Sequence, residues 1–146
     1  MEKADVIPSI VLSAHALARF AAQDAGNEAP SAQWRALSIL EQKGGMRIGE
    51  LALAARTTQP GMTRLIGALE QAGLVTRTTD PADTRATLVH ATDAGLTHLA
   101  EWRAEMRDTL APRFAGLADE EWIVLQRAAE ILAAHAQETT TTGEAE

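Results

Sequence analysis

The segment IGELALAARTTQPGMTRLIGALEQAGLVTRTTDPADTR, residues 48–85, carries two helical patterns and then a hairpin pattern. Ile48, Leu51, Ala52 and Ala55 recur at i, i+3, i+4 and i+7, the spacing of one buried helical stripe. Met62, Leu65, Ile66 and Leu69 repeat it. Thr57 and Thr58 break the run between them. Thr58 suits an N-cap, and Pro60 falls in the first turn, where no backbone donor is needed. Gly73 stops the second helix. Leu74–Thr79 and Ala86–Thr92 are β-prone and are joined by the turn-forming Asp80-Pro81-Ala82-Asp83-Thr84-Arg85. With its apolar stripe turned inward, the second helix leaves Pro60, Thr63, Arg64, Gly67 and Gln71 outward. A slim polar face of this kind suits a DNA major groove, where a well-placed arginine reads guanine with two hydrogen bonds.

On either side the pattern is helical. Residues 4–25 place Ile10, Ala14, Leu17, Ala18 and Ala21 on one face, and Gly26-Asn27 ends the run. Pro30-Ser31 opens a second helix that turns Trp34, Leu37 and Leu40 inward and stops at Lys43-Gly44-Gly45. From Asp93 a helix carries Leu96, Leu99, Met106 and Leu110, with Pro112 kinking or interrupting it. A last helix starts near Asp119, where Asp119, Glu120 and Glu121 meet the positive end of the dipole. Residues 139–146 read as a disordered tail.

Composition narrows the function. The chain has 146 residues, 46% of them hydrophobic and 3% aromatic, which points to alanine- and leucine-rich helix packing. Without cysteine there is no disulfide, thiol sensor or thiolate metal site. No apolar run is expected to reach the ~18–20 residues of a bilayer span, and the N-terminus does not read as a secretory signal, so a cytoplasmic location is expected. The net charge of −7 is unevenly spread. Residues 43–90 set Lys43, Arg47, Arg56, Arg64, Arg77 and Arg85 against Glu50, Glu70, Asp80 and Asp83, a surplus of two positive charges. Acid dominates both flanks and steers a polyanion towards the centre alone.

Arg85 follows the turn, where the hairpin projects furthest and an arginine can enter a narrow minor groove. Asp83 is expected to orient a guanidinium, that of Arg85 or of Arg77. His15, His90, His98 and His135 lack metal-ligand spacing, and neither a metal nor a cofactor is expected. His15, Arg19 and Trp34 are candidates for the wall of a pocket for a small aromatic or anionic effector. No nucleophile–base pair or phosphate loop points to an enzyme.

Ile48-Gly49-Glu50-Leu51-Ala52, Thr57–Leu69, Gln71-Ala72-Gly73-Leu74-Val75, Arg77, Asp83-Thr84-Arg85 and Thr92-Asp93-Ala94-Gly95 together resemble the multiple antibiotic resistance regulator (MarR) family. The resemblance implies a mainly α fold with a small β-hairpin wing: a winged helix-turn-helix with N- and C-terminal dimerisation helices. On that reading residues 1–138 are a single domain, with 1–30 and 93–138 dimerising and 31–92 binding DNA. It further implies a homodimer on a pseudo-palindromic operator in double-stranded DNA, most simply a ligand-responsive repressor. Gln59, Pro60, Thr63 and Arg64 become recognition positions and Arg85 the wing arginine, with Arg77 and Asp83 in support. The departures are Gly61 and Gly67 within the recognition helix, Ala91 for a larger aliphatic, and Ala118 for a capping serine. The alternative is a winged-helix protein-interaction module that has lost DNA binding.

Overall fold

The computed structural model describes residues 1–24, 26 and 31–136. The described chain forms two compact units, Met1–Leu110 and the segment from Ala111 onward. The first contains α1 (Lys3–Asp24), α2 (Ser31–Lys43), α3 (Ile48–Ala54), α4 (Gln59–Gln71), β1 (Val75–Asp80), β2 (Asp83–Ala91) and α5 (Asp93–Leu110). The second contains a 3₁₀ turn (Ala111–Phe114) and α6 (Asp119–Ala136).

The core of the first unit gathers the apolar stripes of α2, α3 and α4 over the hairpin. Leu37, Leu51, Met62, Ile66, Val89 and Leu99 are almost wholly buried. Trp34, Leu40, Ala52, Ala55 and Leu69 belong to the same cluster, so the inward faces expected of α2, α3 and α4 are found. Trp34 stacks on Trp102 with ring centroids 4.9 Å apart and an interplanar angle of 13°, and His98 lies 4.9 Å from the same ring. Trp102 therefore packs against this core through α5.

The turn between α3 and α4 forms as expected. Thr58 takes the extended N-cap conformation, its hydroxyl accepts the Gly61 N–H at 3.1 Å, and Pro60 lies in the first turn. Arg56 lies just before it in the left-handed region, at φ 52°. At the other end of α4, Gly73 takes φ 75°, and the Leu74 N–H bonds back to the Leu69 carbonyl at 2.9 Å.

The hairpin is longer and its turn tighter than the sequence implies. β1 and β2 pair antiparallel from Val75↔Ala91 to Thr79↔Thr87, and a register shift at Thr79/Asp80 leaves Asp80 opposite Asp83. Only Pro81 and Ala82 lie between the strands, so Arg85 is a residue of β2 rather than of a six-residue loop. Met46 adds a third edge, exchanging backbone hydrogen bonds of 3.1 and 2.7 Å with Val89.

α1 corrects one expectation. It runs 22 residues, through Pro8, and is long and apolar enough by length and composition to cross a membrane. Its alanines and aliphatics outweigh Arg19. α1 packs on α5, yet only Ala21 is buried. In the second unit Pro112 lies in the 3₁₀ turn just past the end of α5, and Phe114 packs 6.4 Å from Trp122. Glu121 accepts the Ala118 N–H at 2.9 Å, half of a capping box made without the usual serine. The expected tail, 139–146, lies outside the described residues, as does the Asn27–Pro30 junction.

Candidate nucleic-acid interface

The outward row of α4 rests on a sealed floor. Met62, Ile66 and Leu69 fix the helix from below. Above them Gln59, Pro60, Thr63 and Arg64 line an open concavity of about 610 Å³. Small side chains shape this face: Pro60 and Gly61 keep the first turn low, and a Cβ on Gly67 would meet nothing within 4 Å. The Thr63 hydroxyl donates to the Gln59 carbonyl at 2.9 Å. Its proton is thus engaged within the helix, and outward it offers a methyl group and oxygen lone pairs. The Arg64 guanidinium makes no ion pair among the described residues.

Arg85 is exposed on β2, its guanidinium likewise without an ion pair among the described residues. Its backbone N–H donates to Asp83 Oδ1 at 3.0 Å. The two supporting residues expected to act together therefore separate. Asp83 holds the Arg85 backbone rather than a guanidinium, and Arg77 pairs with Glu70 of α4 at 3.2 Å. The register explains the correction: Arg77 faces Val89, well down the hairpin from Asp83. Arg77 thus links the wing to the end of α4.

Two further anchors, Asp80 and Thr92, take roles that the sequence alone does not assign. Asp80, expected in the turn, is only 8% exposed. Its Oδ2 receives Nε and Nη2 of Arg47 at 2.9 and 2.8 Å, and its Oδ1 receives the Ala82 N–H at 2.9 Å. The Ala82 N–H first, then the Arg47 guanidinium, hold the Asp80 carboxyl below its ordinary value, and Asp80 raises Arg47 in return. No local pattern signals a pair 33 residues apart. The second anchor is Thr92, whose hydroxyl donates to the Gly73 carbonyl at 2.6 Å and accepts the Gly95 N–H at 3.0 Å. A Cβ on Gly95 would collide with the Leu74 carbonyl, so glycine permits the close approach of α5 to the root of the wing.

The proposed effector wall is not assembled in this way. Trp34 is 5% exposed and its ring is engaged by Trp102 and His98, whereas His15 and Arg19 are exposed on α1. Trp34 is a core residue. The remaining histidines are locally bonded, His90 to the Thr78 hydroxyl at 2.8 Å and His135 to the Ile131 carbonyl at 2.8 Å.

Known proteins resemble this chain in sequence and in fold. The MarR family profile matches residues 30–87. An HTH-type transcriptional regulator of Mycobacterium bovis is 35% identical over 107 residues, covering 73% of this chain and 75% of that protein. The HTH-type transcriptional repressor IacR of Pseudomonas putida is 28% identical over 100 residues, 68% of this chain and 60% of that protein. Among solved structures, a MarR family protein from Bacillus stearothermophilus superposes with a TM-score of 0.73 at 22% identity, covering 92% and 97% of the two chains. Wild-type MarR of E. coli, in its apo form, gives 0.69 at 18% identity over 90% and 97%. These last two likenesses concern the fold.

Proposed function

Because this chain belongs to the MarR family of helix-turn-helix transcriptional regulators, we propose that it binds a pseudo-palindromic operator as a homodimer and represses transcription until a small effector releases it. The observation that carries the reading is the outward row Gln59, Pro60, Thr63 and Arg64 on a helix whose other face is sealed. Such a helix can enter a major groove without unfolding anything. Arg64 would pair with a guanine edge, worth about 1–3 kcal/mol of discrimination. Thr63, its proton engaged, would meet a thymine methyl or accept from a base amine. Arg85 would enter the flanking minor groove, most favourably where A/T steps narrow it.

Dimerisation is supported by apolar surface that the single chain leaves uncovered. Val6, Ile7, Val11, Leu12 and Phe20 are exposed on α1, and Trp122, Ile123, Val124, Leu125 and Ile131 on α6. A second copy covering these faces would set two α4 helices about one DNA turn, ~34 Å, apart. The similarity to IacR, a named repressor, favours repression. A small aromatic or anionic effector would act by stabilising a dimer whose spacing misfits the operator. A protein that acts on the genome in this way would work in the cytoplasm.

The test is a salt titration of binding to a duplex enriched by the protein from a random-sequence library. Log affinity should fall linearly with log salt, and Arg85→Ala should make the slope shallower by about one and remove protection at flanking A/T steps. A chain that retains no duplex at low salt would instead be the interaction module.

A further inference from the structure

We infer that Arg47 and Asp80 form a brace that fixes the wing against the first helix of the reading head, and that Arg47 is thereby a positioning residue for Arg85. The inference rests on the DNA-binding reading above.

Arg47 occupies the N-cap of α3, with an extended backbone and no side-chain cap of its own. Its neighbour Met46 is tied to Val89 of β2. Two nitrogens of its guanidinium converge on one oxygen of Asp80, while the other oxygen holds the Ala82 N–H inside the turn. Asp80 thus joins the turn of the hairpin to the head of α3. It is also the only buried charged residue among those described. The register shift at Thr79/Asp80 accompanies this, since the burial pattern of β1 returns to buried only at Asp80.

Strand pairing does not require the brace. Five residue pairs, Val75↔Ala91 to Thr79↔Thr87, already close the hairpin, and Thr92 secures its root. What pairing leaves open is the swing of the tip relative to α3 and α4, because an isolated two-stranded ribbon twists and bends readily. Arg85 lies on the swinging part, its backbone already fixed to Asp83. Holding Asp80 therefore holds Arg85 at one reach from the helix-turn-helix. A brace of this kind changes the entropy of binding and not the contact itself, so its effect must travel through Arg85.

The experiment compares the full-length wild type with Arg85→Ala, Arg47→Met, Asp80→Asn, Arg47→Lys and the double variant Arg47→Met/Arg85→Ala. The probe is a duplex enriched by the wild-type protein from a random-sequence library, titrated with potassium chloride from about 50 to 300 mM. Asp80→Asn keeps an oxygen for the Ala82 N–H, but its amide NH₂ cannot accept from Arg47, so the brace is lost while the turn bond stays. Expected are an affinity loss of about fivefold for Arg47→Met and Asp80→Asn, a shallower salt slope and loss of flanking protection, as for Arg85→Ala. Arg85→Ala should then cost little more in the Arg47→Met background, and Arg47→Lys should recover part of the loss. In the free protein, amide order parameters of Ala82–Ala86 should fall in Arg47→Met while those of α4 stay unchanged. Wild-type slope and protection in Arg47→Met and Asp80→Asn, or fully multiplicative losses in the double variant, would overturn the brace alone. A wild type that enriches no duplex would overturn the DNA-binding reading and the brace with it.

Discussion

Asp80 shows how one side chain can carry a pH signature of the fold. Its carboxyl is held below the ordinary 3.8 by the Ala82 N–H and by Arg47. A carboxyl with a depressed folded value stabilises the fold above its unfolded value, and that contribution disappears as pH falls through the folded one. The stability advantage of the wild type over Asp80→Asn should therefore be constant above about pH 5, shrink from about pH 4 downward and vanish at lower pH, as read by urea denaturation. Asp83 and Glu50 also act on Arg47. They are present in both proteins, so the comparison isolates Asp80. Gly95 gives a second expectation. An added methyl must displace the Leu74 backbone, so Gly95→Ala should lower stability by about 1–3 kcal/mol in the same assay.

Within α4 two glycines that look equivalent in sequence are not. A methyl on Gly67 meets nothing, so Gly67→Ala should raise stability by about 0.5–1 kcal/mol through helix propensity. A methyl on Gly61 would stand 2.9 Å from the Thr58 hydroxyl, so Gly61→Ala should lose most of that gain by disturbing the cap. Denaturation of the two variants side by side checks this. The difference marks what a sequence can and cannot reveal. Periodicity located α2, α3 and α4 because each buries a face set by residues three and four apart. Thr58 and Gly73 were legible because caps and turns are local chemistry. The wing was less so: its two-residue turn and the Arg77–Glu70 pairing depend on register. The Arg47–Asp80 pair depends on two segments meeting only after folding, as does the stacking that turns Trp34 from a pocket candidate into core.

For the whole molecule the uncovered apolar faces of α1 and α6 lead to a direct expectation. The protein should have a mass in solution near twice the 15.6 kDa of one chain, measured by light scattering. Replacing Leu12 and Val11 on α1 by polar residues should shift it towards the single-chain mass and weaken operator binding together. A single-chain mass for the wild type at micromolar concentration would exclude the two-headed mode of reading. The joint at Thr92 adds a mechanical corollary. One residue separates β2 from α5, and that residue is bonded to both Gly73 and Gly95. Such a junction leaves no slack, so the root of the flap moves with the long helix behind it. On the DNA-binding reading, a tilt of that helix would displace the arginine, and a glycine inserted after Thr92 should let the helix tilt while the flap keeps its position.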